Sequence, residues 1–158
     1  MTATPEIDRL LAEARAGLER VRATDLSSLV VAGALVIDTR PVEQRRRDGE
    51  LPGAVVVDRN VLEWRLDPTS PYRLSDAVDK ERLVVVVCNE GFSSSLAAAT
   101  LQRLGLIRAT DLIGGYQEWS RTVGGLSGGA RAVSADGHCL GGSRSERDGW
   151  GCREAGDR

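Results

Sequence analysis

The hydrophobic residues of this chain cluster in four short runs, and longer stretches with helical spacing lie between them. The runs cover 34–38, 54–58, Leu83–Val87 and 110–115. Continuous apolar runs of this length are typical of strands that are buried on both faces of a parallel sheet. Because the runs alternate with helical segments, the pattern predicts an α/β fold, a doubly wound parallel sheet with helices on both faces.

The segment before the first strand predicts an amphipathic helix. Thr4 is a suitable cap, Pro5 suits the first turn, and one apolar stripe recurs at helical spacing. The stripe consists of Ile7, Leu10, Leu11, Ala14, Leu18 and Val21. We expect this extra helix, within 1–23, to pack against the sheet of a domain over 24–123.

The chain changes character at Gly124. Residues 124–158 are rich in glycine, serine and charge and contain few side chains that a core would bury. Such a composition predicts a disordered, flexible tail. We expect no role for its His138, Cys139 and Cys152, although a tail cysteine that relays sulfur is an open alternative.

Composition excludes several function classes. The formal net charge of -2 gives no reason to expect nucleic acid or a membrane surface as a partner. Lys80 is the only lysine, and it lies outside any glycine-rich turn, so there is no P-loop. The charged N-terminus does not resemble a signal peptide, and no segment predicts a membrane span. We therefore expect a cytoplasmic protein with reduced cysteines, whose spacings match no zinc pattern.

Cys88 directly follows the strongest predicted strand, at the point where the chain turns into a helix. Ligands of parallel sheets bind outside the carboxyl ends of the strands. The positive end of the following helix and the N–H groups of the loop would both stabilise a thiolate there. Gly91 permits the positive φ that such a loop requires. An inert buried thiol remains the alternative reading of this position.

Other cysteine chemistries lack the partners that they need. The only histidine is His138 in the tail, so the domain has no Cys-His pair, and no second cysteine lies near Cys88. Cysteine phosphatases place an arginine six positions after the nucleophile, where this chain has Ser94. Sulfur transfer fits what remains, because a thiolate that attacks a sulfane sulfur needs no base during the attack.

Three segments resemble the signatures of single-domain rhodaneses, the thiosulfate-type sulfurtransferases. They are VIDTRPVEQRRRDGELPGAVVV, CNEGFSS and LIGGYQEW, in the family's order between Leu35 and Trp119. The resemblance implies a rhodanese-like fold and a persulfide-forming Cys88, with no metal or organic cofactor. It also implies a loop whose amides hold the transferred sulfur, formed by Asn89, Glu90, Gly91, Phe92, Ser93 and Ser94.

Two departures from the family pattern bear on the substrate. Ser93 stands where many relatives have an arginine, and Glu90 adds a negative charge to the loop. Both predict weak to moderate turnover of thiosulfate. We expect cyanide or a thiol as the acceptor, and a protein persulfide is a further candidate partner. We expect Arg40 to pair with a carboxylate rather than to bind substrate. The alternative function is a rhodanese-like binding or redox-sensing module with little turnover.

Overall fold

The structure is a computed structural model that describes residues 4–74 and 79–124. Its centre is a parallel four-stranded sheet with strand order β2-β1-β3-β4. This confirms the predicted parallel α/β fold. The strands are β1 (Leu35–Asp38), β2 (Val55–Val56), β3 (Val84–Val87) and β4 (Ala109–Asp111). Apart from Gly124, the predicted tail lies outside the described residues.

Helices cover both faces of the sheet. They are α1 (Glu6–Ala16), α2 (Leu26–Val31), α3 (Val42–Asp48), α4 (Leu62–Leu66), α5 (Ser93–Arg103) and α6 (Gly115–Trp119), with short 3-10 turns at Ala23–Asp25 and Arg59–Val61 and a π turn at Ser120–Gly124. No helix in the described part of the chain is both long enough and apolar enough to cross a bilayer.

The strand residues alternate between two hydrophobic cores, as the pleat of a sheet requires. Val84 and Val86 face one core, which contains Leu62 from α4 and Leu101 from α5. Val85 faces the other core. That second core also contains Leu26 from α2 and Tyr116 from α6. Burial on both faces explains why β3 is apolar throughout, and it places the end of β3 in the middle of the molecule.

The N-terminal helix differs from the prediction in its cap, its end and its packing. It begins at Glu6, Pro5 occupies the capping position without a side-chain cap, and it ends at Ala16. Val21 instead forms a parallel bridge with Leu112, beside β4. The apolar spacing continued past the helix because the extended segment also buries a side chain. The helix packs mainly against α5 rather than against the sheet.

Two predicted strands are shorter than their apolar runs. Only Val55 and Val56 of 54–58 pair with β1, and both side chains are exposed because β2 is an edge strand. The last run pairs with β3 only as far as Asp111. Gly114 and Gly115 then adopt positive φ values and begin α6, so a hydrophobic run alone did not define where pairing stops.

A buried ion pair connects the end of β1 to the chain that follows it. Arg40 donates to the carboxylate of Asp38 at 2.7 Å, and both side chains are buried. Arg40 also donates to the Gly49 carbonyl at 2.9 Å, and its guanidinium stacks 3.5 Å from the centre of the Tyr116 ring. The pairing of Arg40 with a carboxylate is confirmed, and the pair ties the loop after β1 to α6.

We predict that Asp38→Ala lowers the free energy of unfolding by about 3–5 kcal/mol, because it leaves the Arg40 guanidinium buried and unpaired. Urea denaturation followed by circular dichroism measures the change. The control is Glu13→Ala, which removes a carboxylate 3.7 Å from Arg9 on the exposed face of α1 and should cost at most about 1 kcal/mol. Equal costs for the two variants would contradict the assignment.

Candidate active site

Cys88 lies at the carboxyl end of β3, between the neighbouring ends of β1 and β4. The residue is 7% exposed and counts as buried. The backbone turns sharply after it, through Gly91, whose φ is 79°. The sequence prediction of a cysteine at a strand-to-helix junction is confirmed in its placement.

Several donors converge on the sulfur. The N–H of Gly91 lies 3.2 Å from Cys88 Sγ, and the N–H of Ser94 lies 3.4 Å from it. The Cys88 thiol itself donates to the hydroxyl oxygen of Ser94 at 3.1 Å, and once the thiol has lost its proton that hydroxyl is placed to donate to the sulfur. Two amides and a hydroxyl on one sulfur form a cradle that suits an anion, with the N-terminus of α5 behind it.

The cradle changes the acidity of the thiol. Burial alone would raise the pKa of Cys88, since it disfavours the charged form. Hydrogen bonds from the hydroxyls of Ser94 and Ser93 and from the N–H groups of Ser94 and Gly91 outweigh it, so the pKa lies below its ordinary value. A lower pKa raises the thiolate fraction at neutral pH.

The loop rests on Gly114 and Gly115, the two glycines at the start of α6. The Cys88 carbonyl accepts a hydrogen bond from the N–H of Tyr116 at 2.9 Å, and the Asn89 carbonyl accepts from Gln117 at 3.0 Å. A Cβ atom on Gly115 would lie 2.5 Å from the Cys88 carbonyl oxygen. The close approach of these two backbones therefore explains why a Gly-Gly pair stands at this position.

The remaining loop residues form the rim of the site. Glu90, Phe92 and Ser93 are exposed, and the Asn89 side chain accepts a hydrogen bond from Gln117. Among the six residues predicted to hold the transferred sulfur, Gly91 and Ser94 direct their N–H groups at Cys88 Sγ, and the Ser93 side chain contributes to the lowered pKa of Cys88. Glu90 is directed to solvent, which reduces its effect on the sulfur.

A polar cluster behind the loop was not predicted from the sequence. Asp111, at the end of β4, is completely buried and accepts from Ser94 Oγ at 3.0 Å and Ser95 Oγ at 2.7 Å. Arg20 donates to both oxygens of Asp111, at 2.8 and 3.2 Å. An aspartate inside a predicted buried strand was the available signal, because a buried carboxylate requires partners.

Three arginines between β1 and β3 have partners outside the cysteine loop. Arg65 donates to the Tyr72 carbonyl and Arg73 to the Ser70 carbonyl, and Arg40 is buried in its ion pair. Within residues 4–74 and 79–124, no three His, Cys, Asp or Glu side chains are grouped as metal ligands would be.

The chain is thus a parallel α/β domain with a cysteine at the end of a central strand, and the following loop directs its N–H groups at the sulfur. Comparison with known families makes the assignment specific. The model of the rhodanese-like domain matches residues 22–122. The chain belongs to the rhodanese-like domain family, as its signatures had indicated.

Two curated relatives are fungal proteins named adenylyltransferase and sulfurtransferase UBA4. The Candida albicans protein is 36% identical over 89 residues, 56% of this chain and 20% of that protein. The Lodderomyces elongisporus protein is 31% identical over 108 residues, 66% of this chain and 24% of that protein. The chain thus spans about a fifth to a quarter of these relatives' length.

Solved structures share the fold over most of their own length. A Rhodopseudomonas palustris protein of unknown function, described as a possible tyrosine phosphatase, has a TM-score of 0.67 and 31% identity and covers 77% of this chain and 93% of its own. The human single-domain sulfurtransferase TSTD1 has a TM-score of 0.57 and 26% identity and covers 65% and 96%. The fold is therefore that of single-domain rhodanese-like proteins.

We predict that Ser94→Ala slows alkylation of Cys88 by iodoacetamide roughly 5- to 10-fold at neutral pH, and that the pH–rate profile moves to higher pH. The reason is that the hydroxyl stabilises the thiolate, and losing such a hydrogen bond costs about 1–1.5 kcal/mol. Mass spectrometry of the modified chain measures the rate. Ser28→Ala, a hydroxyl that donates to the Asp25 carbonyl in α2, is the control and should react like the wild type.

Proposed function

We propose that the chain is a sulfurtransferase that carries a sulfane sulfur as a persulfide on Cys88. The observation that carries the proposal is the cradle: the sulfur of a buried cysteine, with the N–H groups of Gly91 and Ser94 directed at it and a lowered pKa. A thiolate is the nucleophile that sulfur transfer requires. The same donors suit the charged outer sulfur of a persulfide.

The proposed cycle needs no proton transfer during either displacement. The Cys88 thiolate attacks the outer sulfur of the donor, an S–S bond forms on Cys88, and the bond between that sulfur and the donor breaks, with the electron pair leaving on the donor fragment. An acceptor thiolate or cyanide then attacks the outer sulfur of the persulfide. The Cys88 thiolate leaves, so the enzyme returns to its starting state. No histidine base is required, consistent with a domain that has none.

The comparisons support sulfur transfer as the general class of activity. The relatives include proteins named sulfurtransferases, and the family match covers the whole cysteine loop. Because this chain corresponds to only part of the UBA4 proteins, their complete activity does not transfer to it. Transfer to or from a protein-bound sulfur is nevertheless a candidate reaction, alongside small donors and acceptors.

The rim of the loop favours donors other than small anions. Residues 88–94 include no cation, and the exposed rim consists of Glu90, Phe92 and Ser93. Arg40 cannot supply a charge to a substrate while it remains buried against Asp38. Thiosulfate carries two negative charges, so we expect it to be a weak to moderate donor, and a thiol persulfide to be a better one.

A phosphatase reaction is disfavoured by the same loop. A phosphoryl group has three anionic oxygens, and cysteine phosphatases bind them with an arginine six positions after the nucleophile. That position is Ser94, whose hydroxyl is occupied by Cys88 and Asp111.

A rhodanese-like binding or redox-sensing module is the second candidate. The observation that favours it is the rim, where Glu90 is added and Ser93 replaces an arginine. A sensing cysteine would also have a lowered pKa, but on oxidation it would form a stable sulfenic acid. A binding module would bind a partner without consuming a donor.

We predict that incubation with thiosulfate or glutathione persulfide adds about 32 Da to the intact chain, the mass of one sulfur atom in a persulfide. Cyanide or dithiothreitol should remove the added mass, because either one accepts the outer sulfur. Cys88→Ser is the matched control and should gain nothing. A chain that gains no sulfur from thiosulfate, mercaptopyruvate or glutathione persulfide would favour the binding module, and a gain of one oxygen after peroxide alone would favour the sensor.

We predict that Ser93→Arg raises kcat/KM for thiosulfate about 10-fold at low ionic strength, since a cation at the rim attracts a dianion. The gain should decrease with added salt. Ser93→Gln, similar in length but neutral, is the control and should show no gain. A wild-type rate equal to that of Ser93→Arg would contradict the charge argument.

A further inference from the structure

Two arginines that precede the family-matched residues reach the cysteine loop from outside. Arg15, in the last turn of α1, donates from Nη2 to the Gly91 carbonyl at 2.7 Å and from Nε to Ser95 Oγ at 3.1 Å. Arg20, in the extended segment after α1, donates to the same Gly91 carbonyl at 3.2 Å. The match to the family begins only at residue 22. We refer to residues 6–21 as the N-terminal arm.

The fold fixes both arginines in place. Arg15 follows Leu11 by one helical turn, so the two side chains share a face of α1, and Leu11 is buried where α1 packs on α5. Arg20 precedes Val21, whose N–H donates to the Asp111 carbonyl and whose carbonyl accepts from Ile113. The packing of α1 and the hydrogen bonds of Val21 therefore fix the position of each guanidinium relative to the loop.

The Gly91 carbonyl is the atom on which the two arginines converge. Glycine has no Cβ, so the peptide groups on either side of it rotate more readily than elsewhere. In a trans peptide the carbonyl and the next N–H point in opposite directions, so holding this carbonyl also fixes the N–H of Phe92. Phe92 stands between Gly91 and Ser94, whose N–H groups donate to the sulfur. The arm therefore constrains the segment that carries the donors.

Arg20 has a second effect through Asp111. The Ser94 hydroxyl has one proton, and it lies 3.1 Å from Cys88 Sγ and 3.0 Å from the Asp111 carboxylate. The two anions compete for that proton. Arg20 pairs with both oxygens of Asp111, which offsets the negative charge and weakens its hold on Ser94. The serine can then donate to a thiolate.

We propose that Arg15 and Arg20 are positioning residues of the active site, which clamp the Gly91 carbonyl and balance Asp111 so that the loop donors stay directed at the sulfur of Cys88. The N-terminal arm therefore contributes to the active site by positioning its loop. This inference rests on the proposed function in one respect, that the sulfur held by the loop is the one transferred.

The charged groups around Cys88 limit which variants are informative. Among the residues that the structure describes, they include Asp111 from β4, Arg15 and Arg20 from the arm, Glu90 on the loop, the Asp38–Arg40 pair at the end of β1, and Asp48, which shares the Gln117 amide with Asn89. Replacing Arg20 alone leaves the Asp111 carboxylate buried without its cation. Arg15 hydrogen-bonds to neutral oxygens and its guanidinium lies 5.5 Å from the centre of the Phe92 ring. Its replacement therefore strands no buried charge, and Arg15 variants carry the main test.

The experiment measures the pH dependence of Cys88 alkylation by iodoacetamide in Arg15→Gln, Arg15→Lys and the wild-type chain, with thermal unfolding of each. We expect Arg15→Gln to react roughly 3- to 10-fold more slowly at neutral pH, the effect of about 1 kcal/mol lost from the thiolate. Arg15→Lys keeps the charge but replaces the planar fork, whose separate nitrogens Nε and Nη2 donate to Ser95 and Gly91, with one nitrogen on a flexible stem. It should therefore remain clearly slower than the wild type. Arg9→Gln, on the exposed part of α1, is the control and should react like the wild type.

The double variant Arg20→Gln with Asp111→Asn tests the second arginine without leaving a buried charge. We expect Cys88 in it to react faster than in Arg20→Gln alone, since removing Asp111's charge frees the Ser94 proton. Equal rates in these two variants would overturn the role of Arg20.

Two results would overturn the proposal for Arg15 in folded protein. One is an unchanged pH profile in Arg15→Gln. The other is a wild-type profile in Arg15→Lys beside a shifted one in Arg15→Gln, which would reduce Arg15 to a distant charge. Sulfur uptake by the wild type is measured separately by intact mass. A wild type that takes up no sulfur would refute the sulfurtransferase, while the alkylation rates would still decide whether the arginines position the loop.

Discussion

The hydrogen bonds from the Gly91 and Ser94 amides to Cys88 Sγ are the interaction on which the rest of the site depends. A buried sulfur would otherwise favour the neutral thiol, because burial disfavours charge. The sheet supplies the position, since β3 ends between its two parallel neighbours, β1 and β4. The loop then has to curl tightly enough for its amides to face back toward the strand.

That curl is maintained by elements distant in sequence. The Gly-Gly pair at the start of α6 allows the Cys88 carbonyl to approach Tyr116 closely, which holds the inner side of the loop. The arm holds the outer side through Arg15 and Arg20. Asp111 joins the arm to α5, because it accepts hydrogen bonds from Ser94 and Ser95 and pairs with Arg20. Rigidity of the loop is therefore a property of the whole domain.

Much of the fold was predictable because apolar continuity reports burial on both faces. The run Leu83–Val87 identified the central strand, and the serine-rich turn after Cys88 identified the start of α5. The limits of pairing were not predictable in the same way. Val55 and Val56 are apolar but exposed at the sheet edge, and Val21 continued a helical spacing although it lies in an extended bridge. Apolar spacing indicates that a side chain is buried or packed, but it does not show whether the backbone there is a helix or an extended segment.

The sequence by itself determined the family, the order of strands and helices along the chain, and the identity of the candidate nucleophile, because each is carried by a local pattern such as CNEGFSS or LIGGYQEW. Only the tertiary structure decided which groups surround the sulfur. It brought Arg15 and Arg20 to Gly91, more than seventy positions away, and it placed Asp111 behind Ser94. Charged residues that reach a site from distant parts of the chain cannot be recognised by their spacing in the sequence, because the packing of separate helices and strands sets their distances from the site.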